Sequence, residues 1–214
     1  MTELKPDHPP EPPLNRNSEQ PQLWKRRFLT IAAGQAVSLI GSAAVQFSLI
    51  WWLASETASP VVMSIAGLFA FLPQLILGPF AGVLVDRMKR KTVIIAADLF
   101  SGLAALAFAV YFLSGSPPYW SVCAVLAVRA FGNVFHSPAI QAAVPLLVPQ
   151  EELMRANSWS QFLQSGAYLL GPVIGAAMYA VLPIWVILLS DLAGALIASL
   201  TVAVVPIPEP EHHS

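Results

Sequence analysis

Six apolar stretches set the terms for this chain, at residues 28–53, 61–85, 92–113, 119–144, 157–182 and 184–205. Each runs for about 20 residues or more, enough for a helix to cross a ~30 Å hydrocarbon core. No water is present in that core to satisfy backbone N–H and C=O groups, so each segment has to meet them within itself by coiling into a helix. With 56% apolar and 11% charged residues, the chain leaves no candidate strand or soluble domain. The expected fold is an all-α membrane protein with six transmembrane helices in the lipid bilayer.

The joints between these stretches are short, at 55–60, 86–91, 114–118, 145–156 and 182–183. Residues 1–23 hold six prolines and four acids and no apolar run, too little apolar surface to offset the cost of ordering. The expected organisation is a disordered cytoplasmic tail at 1–23, a six-helix transmembrane domain at 24–206 and a cytoplasmic tail at 207–214. The first apolar stretch is too long for the core of a signal peptide, and no small-residue cleavage site follows it.

Basic residues supply the orientation. Lys5, Arg16, Lys25, Arg26 and Arg27 precede the first span, Arg87, Lys89, Arg90 and Lys91 follow the second, and Arg155 follows the fourth. These all fall on one side of a six-span path, whereas the opposite joints carry Glu56 alone. Both termini of a multi-pass plasma-membrane protein are therefore expected in the cytoplasm. Trp24, Trp51, Trp52, Trp120, Trp159 and Trp185 stand within a few residues of predicted helix ends, as an interfacial aromatic belt requires.

Gly78-Pro79-Phe80-Ala81-Gly82 in the second span matches Gly171-Pro172-Val173-Ile174-Gly175 in the fifth. The two fall at the same place in two three-helix halves. Because the second span runs inward and the fifth outward, the halves are expected to be inverted repeats, an arrangement used for alternating access.

Polar side chains within the spans are the candidates for chemistry. In the first span Gln35, Ser38, Ser42 and Gln46 recur at steps of three, four and four, which puts them on one helix face. That face has to look at protein or water. For the two serines, interhelical hydrogen bonding is an equal reading; Gln35 and Gln46 are read as lining a cavity. The fifth span repeats the pattern with Gln161, Gln164, Ser165 and Tyr168. Gln35, Ser38, Gln46, Gln161, Gln164 and Tyr168 form the candidate substrate-binding set, with Tyr168 offering both ring and hydroxyl to a bulky amphipathic ligand.

Arg129 falls near the middle of the fourth span, where a base costs ~2.5–3.5 kcal/mol on insertion scales and needs a partner or a water-filled site. Asp98, towards the cytoplasm, and Asp191, towards the outside, are both candidates to hold it. Either a permanent ion pair or a charge relay, in which protonating an acid releases Arg129, fits that placement. Asn133 and His136 share the Arg129 face, and His136 is expected to hydrogen-bond at the cytoplasmic helix end near Pro138.

The signatures of enzymes are missing. The sequence has no phosphate-binding loop, no Cys/His metal spacing and no nucleophile beside a His and an acid. No catalytic residue, metal, cofactor or nucleic-acid partner is expected. Cys123 reads as a packing residue, and His212 and His213 read as solvated.

The second span runs out into Gly82-Val83-Leu84-Val85-Asp86-Arg87-Met88-Lys89-Arg90-Lys91. Gly82, Asp86, Arg87, Arg90 and Lys91 together resemble the loop between the second and third helices of major facilitator transporters; Lys89 stands where the family pattern has Gly. Gly171-Pro172-x-x-Gly175 resembles the antiporter signature of the drug-exporting branch, with Ala176 in place of its usual final Gly. Further runs, among them Ala33–Ile40, Phe71-Leu72-Pro73, Phe135–Ala139 and Pro145–Pro149, resemble the macrolide efflux proteins of this superfamily over about residues 24–208.

The resemblance implies a proton-driven antiporter exporting large lipophilic cations, powered by the proton motive force and using no cofactor. Asp86, Arg87, Asp98, Arg129 and Asp191 would serve proton coupling or charge relay. Gly82, Arg90, Lys91, Gly171, Pro172 and Gly175 would serve gating. Family members have twelve helices, so a second six-helix half is expected as a separate chain, as a second copy in a homodimer, or as a lost segment. The alternative from another class is a non-transporting membrane interaction or regulatory protein acting on a full transporter. An ATP-driven exporter half is disfavoured because the 86–91 joint is too short for long cytoplasmic helix extensions.

Overall fold

The computed structural model of the chain describes residues 20–115 and 117–207. The expectations for residues 1–19 and 208–214, including Lys5, Arg16, His212 and His213, lie outside the described residues. Six helices follow one another: α1 (Gln20–Thr57), α2 (Pro60–Asp86), α3 (Arg90–Leu113), α4 (Tyr119–Leu147), α5 (Leu153–Val181) and α6 (Ile184–Val204). One 3₁₀ turn, Gln150–Glu152, precedes α5, and no strand occurs among the described residues.

Five of the helices track their apolar stretches closely at both ends, whereas α1 begins at Gln20 rather than near residue 28. Hydropathy marks where a helix is buried in lipid, not where its hydrogen bonding stops. Gln20–Arg27 is rich in good helix formers, so the coil continues into the residues read as tail. At ~1.5 Å per residue α1 reaches ~57 Å, well beyond a ~30 Å core. By length and composition α1, α2, α3, α4 and α6 are apolar enough to cross a membrane. The first half of α5 is diluted by Asn157, Ser158, Ser160, Gln161, Gln164 and Ser165.

Short joints are closed by local chemistry. Between α1 and α2, Ser59 caps the helix by accepting from the Val62 N–H at 3.5 Å, and Pro60 opens it where a missing N–H costs nothing. Between α2 and α3 the turn is held by Lys91, whose Nζ donates to the carbonyls of Ala203 at 2.7 Å and Val205 at 3.1 Å. Those carbonyls end α6, where no intrahelical donor remains and the helix dipole is negative.

α1 packs on α5 and α6, α4 packs on α2 and α3, and α3 packs on α6. Exchanging α1 with α4, α2 with α5 and α3 with α6 maps this set of neighbours onto itself. The six helices are thus two three-helix repeats packed as inverted copies. Small residues allow the close approaches: a Cβ on Gly175 would stand 2.6 Å from the Ala44 carbonyl, and one on Gly194 3.2 Å from the Ser38 backbone. Without strong hydrophobic drive between helices in lipid, such contacts supply the packing.

Two apolar layers close the bundle at its ends. Phe28, Ile31, Val85, Ile94, Val144 and Val202 centre one, and Val45, Leu49, Phe108, Val122, Leu126 and Leu188 centre the other. Between them lies a polar layer. α2 and α5 turn most of their surface outward, including Phe71, Leu75 and Phe80 on α2 and Phe162, Leu169 and Val173 on α5.

Candidate functional site

The polar layer encloses a cavity of 170 Å³ to which all six helices contribute. Its walls include Gln35, Ser38, Ser42 and Gln46 of α1, Asp98 of α3, Arg129, Asn133 and His136 of α4, Gln164 and Tyr168 of α5, and Asp191 of α6. The α1 stripe therefore does face one hollow, because its period keeps those four residues on the side away from lipid. Gln35, Asp98, Arg129 and Asp191 are buried, each at most 6% exposed.

Two charge clusters share this space. In the first, Arg129 forms a buried ion pair with Asp191. Its Nη2 also donates to the Ser42 carbonyl at 3.2 Å, and the Ser42 hydroxyl donates to Asp191 Oδ1 at 2.7 Å. Of the two acids open to Arg129 from sequence, Asp191 is the partner. In the second cluster, Asp98 receives Gln35 Nε2 at 3.4 Å on Oδ2 and has His136 Nε2 at 3.2 Å from Oδ1. The carboxylate stands off the ring N–H direction, so this approach has ion-pair distance without completing a hydrogen bond. His136 thus faces Asp98, not the helix end near Pro138, because it stands two turns from Arg129 on the inward face of α4.

Not every candidate reaches the cavity. Gln161 is exposed and outside it. Gln161 stands ~4.5 Å along α5 before Gln164, where that helix first reaches the hollow. Asp86 and Arg87 are exposed at the end of α2, beyond the apolar layer of Val85 and Ile94. The Asp86 carboxylate has Arg90 at 3.9 Å. These two are ~18 Å along the helix from the cavity-lining Gln74, so neither contacts Arg129.

Gly171 and Gly175 lie against Ala43 and Ala44 of α1, with the Ser48 hydroxyl donating to the Gly175 carbonyl at 3.2 Å. Pro172 sits between them in the same helix. Their counterparts Gly78 and Gly82 would meet nothing with an added Cβ. Gln74, Ser101 and Ser137 also line the cavity and were not singled out from sequence. A signal existed for two of them: Gln74 is a lone amide in an apolar span, and Ser101 falls on the Asp98 face at i+3.

A pair of inverted helical repeats around a mid-bundle polar cavity with buried ion pairs is the build of a secondary transporter. The Major Facilitator Superfamily model matches residues 31–214, and the chain belongs to that superfamily. Macrolide efflux protein A of Streptococcus pyogenes is 45% identical over 186 residues, 87% of this chain and 46% of that protein. Macrolide efflux protein A of Enterococcus faecalis is 42% identical over 151 residues, 71% of this chain and 46% of its own length. Multidrug efflux pump Tap of Mycolicibacterium fortuitum is 30% identical over 160 residues, 72% of this chain and 37% of the pump. The chain spans less than half the length of these relatives. No solved structure matches it.

Proposed function

We propose that this chain is the N-terminal six-helix half of a drug/proton antiporter that exports macrolide-like lipophilic compounds across the plasma membrane, with both termini cytoplasmic. The observation that carries the reading is the polar cavity sealed above and below by apolar layers, with Gln35, Asp98, Arg129 and Asp191 buried around it. Buried charges in a membrane protein mark substrate or ion pathways. The names of the macrolide efflux relatives supply the substrate class. Proton entry down a pH gradient supplies ~1.4 kcal/mol per pH unit to bias two access states.

Gln35, Ser38, Gln46, Gln164 and Tyr168 would meet the drug, the tyrosine at the open rim, where it is 78% exposed. The outward faces of α2 and α5 would receive a companion six-helix half or a second copy. Gly82, Arg90 and Lys91 at the α2–α3 turn would then govern opening on that side.

The test is to express the chain with a matching second half in susceptible cells and measure erythromycin accumulation. Accumulation is expected to fall at least about tenfold against empty vector, and to recover when Arg129 is replaced by Met. Unchanged accumulation with both halves present in the membrane overturns the transport reading and favours the regulatory one.

A further inference from the structure

We infer that Asp98, His136 and Gln35 form the exchange site where one proton and the ammonium group of the cargo alternate, while Arg129 and Asp191 are a fixed strut. This rests on the antiporter reading above and assigns its coupling step to particular atoms.

The two clusters differ in what they leave unsatisfied. Arg129, Asp191 and Ser42 meet one another's donors and acceptors, and none of them has a buried atom without a partner. In the second cluster Gln35 Oε1 and His136 Nε2 are buried and without a hydrogen-bond partner. A buried polar atom left in that state costs ~1–3 kcal/mol, a cost that a bound donor removes at Gln35 Oε1. Gln35 lines the cavity at 5% exposure, and its partnerless carbonyl oxygen belongs to the same amide whose Nε2 holds the Asp98 carboxylate. A buried carboxylate and an amide oxygen without a partner in one cluster both favour a donor that carries positive charge.

Imidazole is the side chain whose ordinary charge change falls between pH 5 and 8. With both ring nitrogens of His136 protonated, the imidazolium neutralises Asp98 across 3.2 Å and the cavity holds no net charge. When one of those protons leaves, Asp98 is an uncompensated anion, and a protonated amine takes the place of the imidazolium beside it. The other charged groups facing the pair are Arg129 on α4 and Asp191 on α6, and these cancel each other. α1, α2 and α5 bring amides, serines and the Tyr168 hydroxyl to the cavity but no charged side chain among the described residues. Exchange of one positive charge for another therefore turns on Asp98.

Two measurements test this. The first uses the chain alone in nanodiscs with carbon-13-labelled histidine. A pH series is expected to show both the neutral and the charged form of His136, and Asp98→Asn is expected to displace the transition between them. A single charge state throughout, or a transition unmoved by Asp98→Asn, overturns the site. The second uses the chain with its companion half in vesicles. Export of erythromycin, a tertiary amine, driven by a proton gradient is expected to fall at least about tenfold in Asp98→Asn and His136→Gln. Drug-for-drug exchange, which moves no net proton, is expected to persist in His136→Gln. Loss of exchange together with export in His136→Gln makes the residue part of drug binding alone and overturns the proton role. Should wild-type vesicles export nothing while His136 still titrates with Asp98, the transport reading falls and the proton site stands.

Discussion

Arg129–Asp191 and Asp98–His136 lie in the same cavity and each joins a base of α4 to an acid of another helix, yet they are built to different standards. The first pair has its remaining valences met by Ser42, which uses both its carbonyl and its hydroxyl. The second has an approach that completes no hydrogen bond and an amide beside it with one end idle. A satisfied buried pair resists change because breaking it strands a charge. An unsatisfied one gives up little when a proton or ligand rearranges it. The difference teaches that burial of a charge alone does not identify a switch; the state of its neighbours does.

The sharpest way to break this comparison is to strip the two clusters in turn. Arg129→Met leaves Asp191 as a lone buried anion and is expected to lower stability by ~3–5 kcal/mol, with most of the loss restored by adding Asp191→Leu. Asp98→Asn, read in the same unfolding experiment in mixed micelles, is expected to cost about 1 kcal/mol. Equal losses for Arg129→Met and Asp98→Asn would erase the distinction between strut and switch.

Ser42→Ala comes next, since it removes a hydroxyl from a carboxylate at 2.7 Å. A loss of about 2 kcal/mol is expected, as for hydrogen bonds to charged groups. The same replacement at Ser38, which lines the cavity without a side-chain hydrogen bond to either pair, is the control. The smallest effect belongs to Gln35→Met. It gives up a 3.4 Å bond and also removes an idle buried oxygen, so stability is expected to change by less than ~1 kcal/mol. A much larger loss would show that Gln35 holds the second cluster as firmly as Ser42 holds the first.

Period and length carried most of the architecture. Apolar runs located six helices, and the Gly-Pro-x-x-Gly pairing pointed to inverted halves before any packing was known. The α1 stripe announced an inward face because lipid cannot satisfy an amide. Gln161 shows the limit of such reasoning. It shares the angular sector of Tyr168, which reaches the hollow, but stands about two turns earlier on α5, and the height at which the hollow begins depends on how α5 is set against α1.

What the chain alone determined is which groups have to be kept from lipid and how far apart they stand along each helix. Those follow from hydrogen bonding and from a fixed rise and turn per residue. Tertiary structure decided which acid holds Arg129, that His136 turns to Asp98, and that Lys91 closes the end of α6. The reason is physical: helical period sets a side chain's direction relative to its own axis, while partners depend on the heights and rotations of neighbouring axes. Those are settled by side-chain packing across the whole bundle.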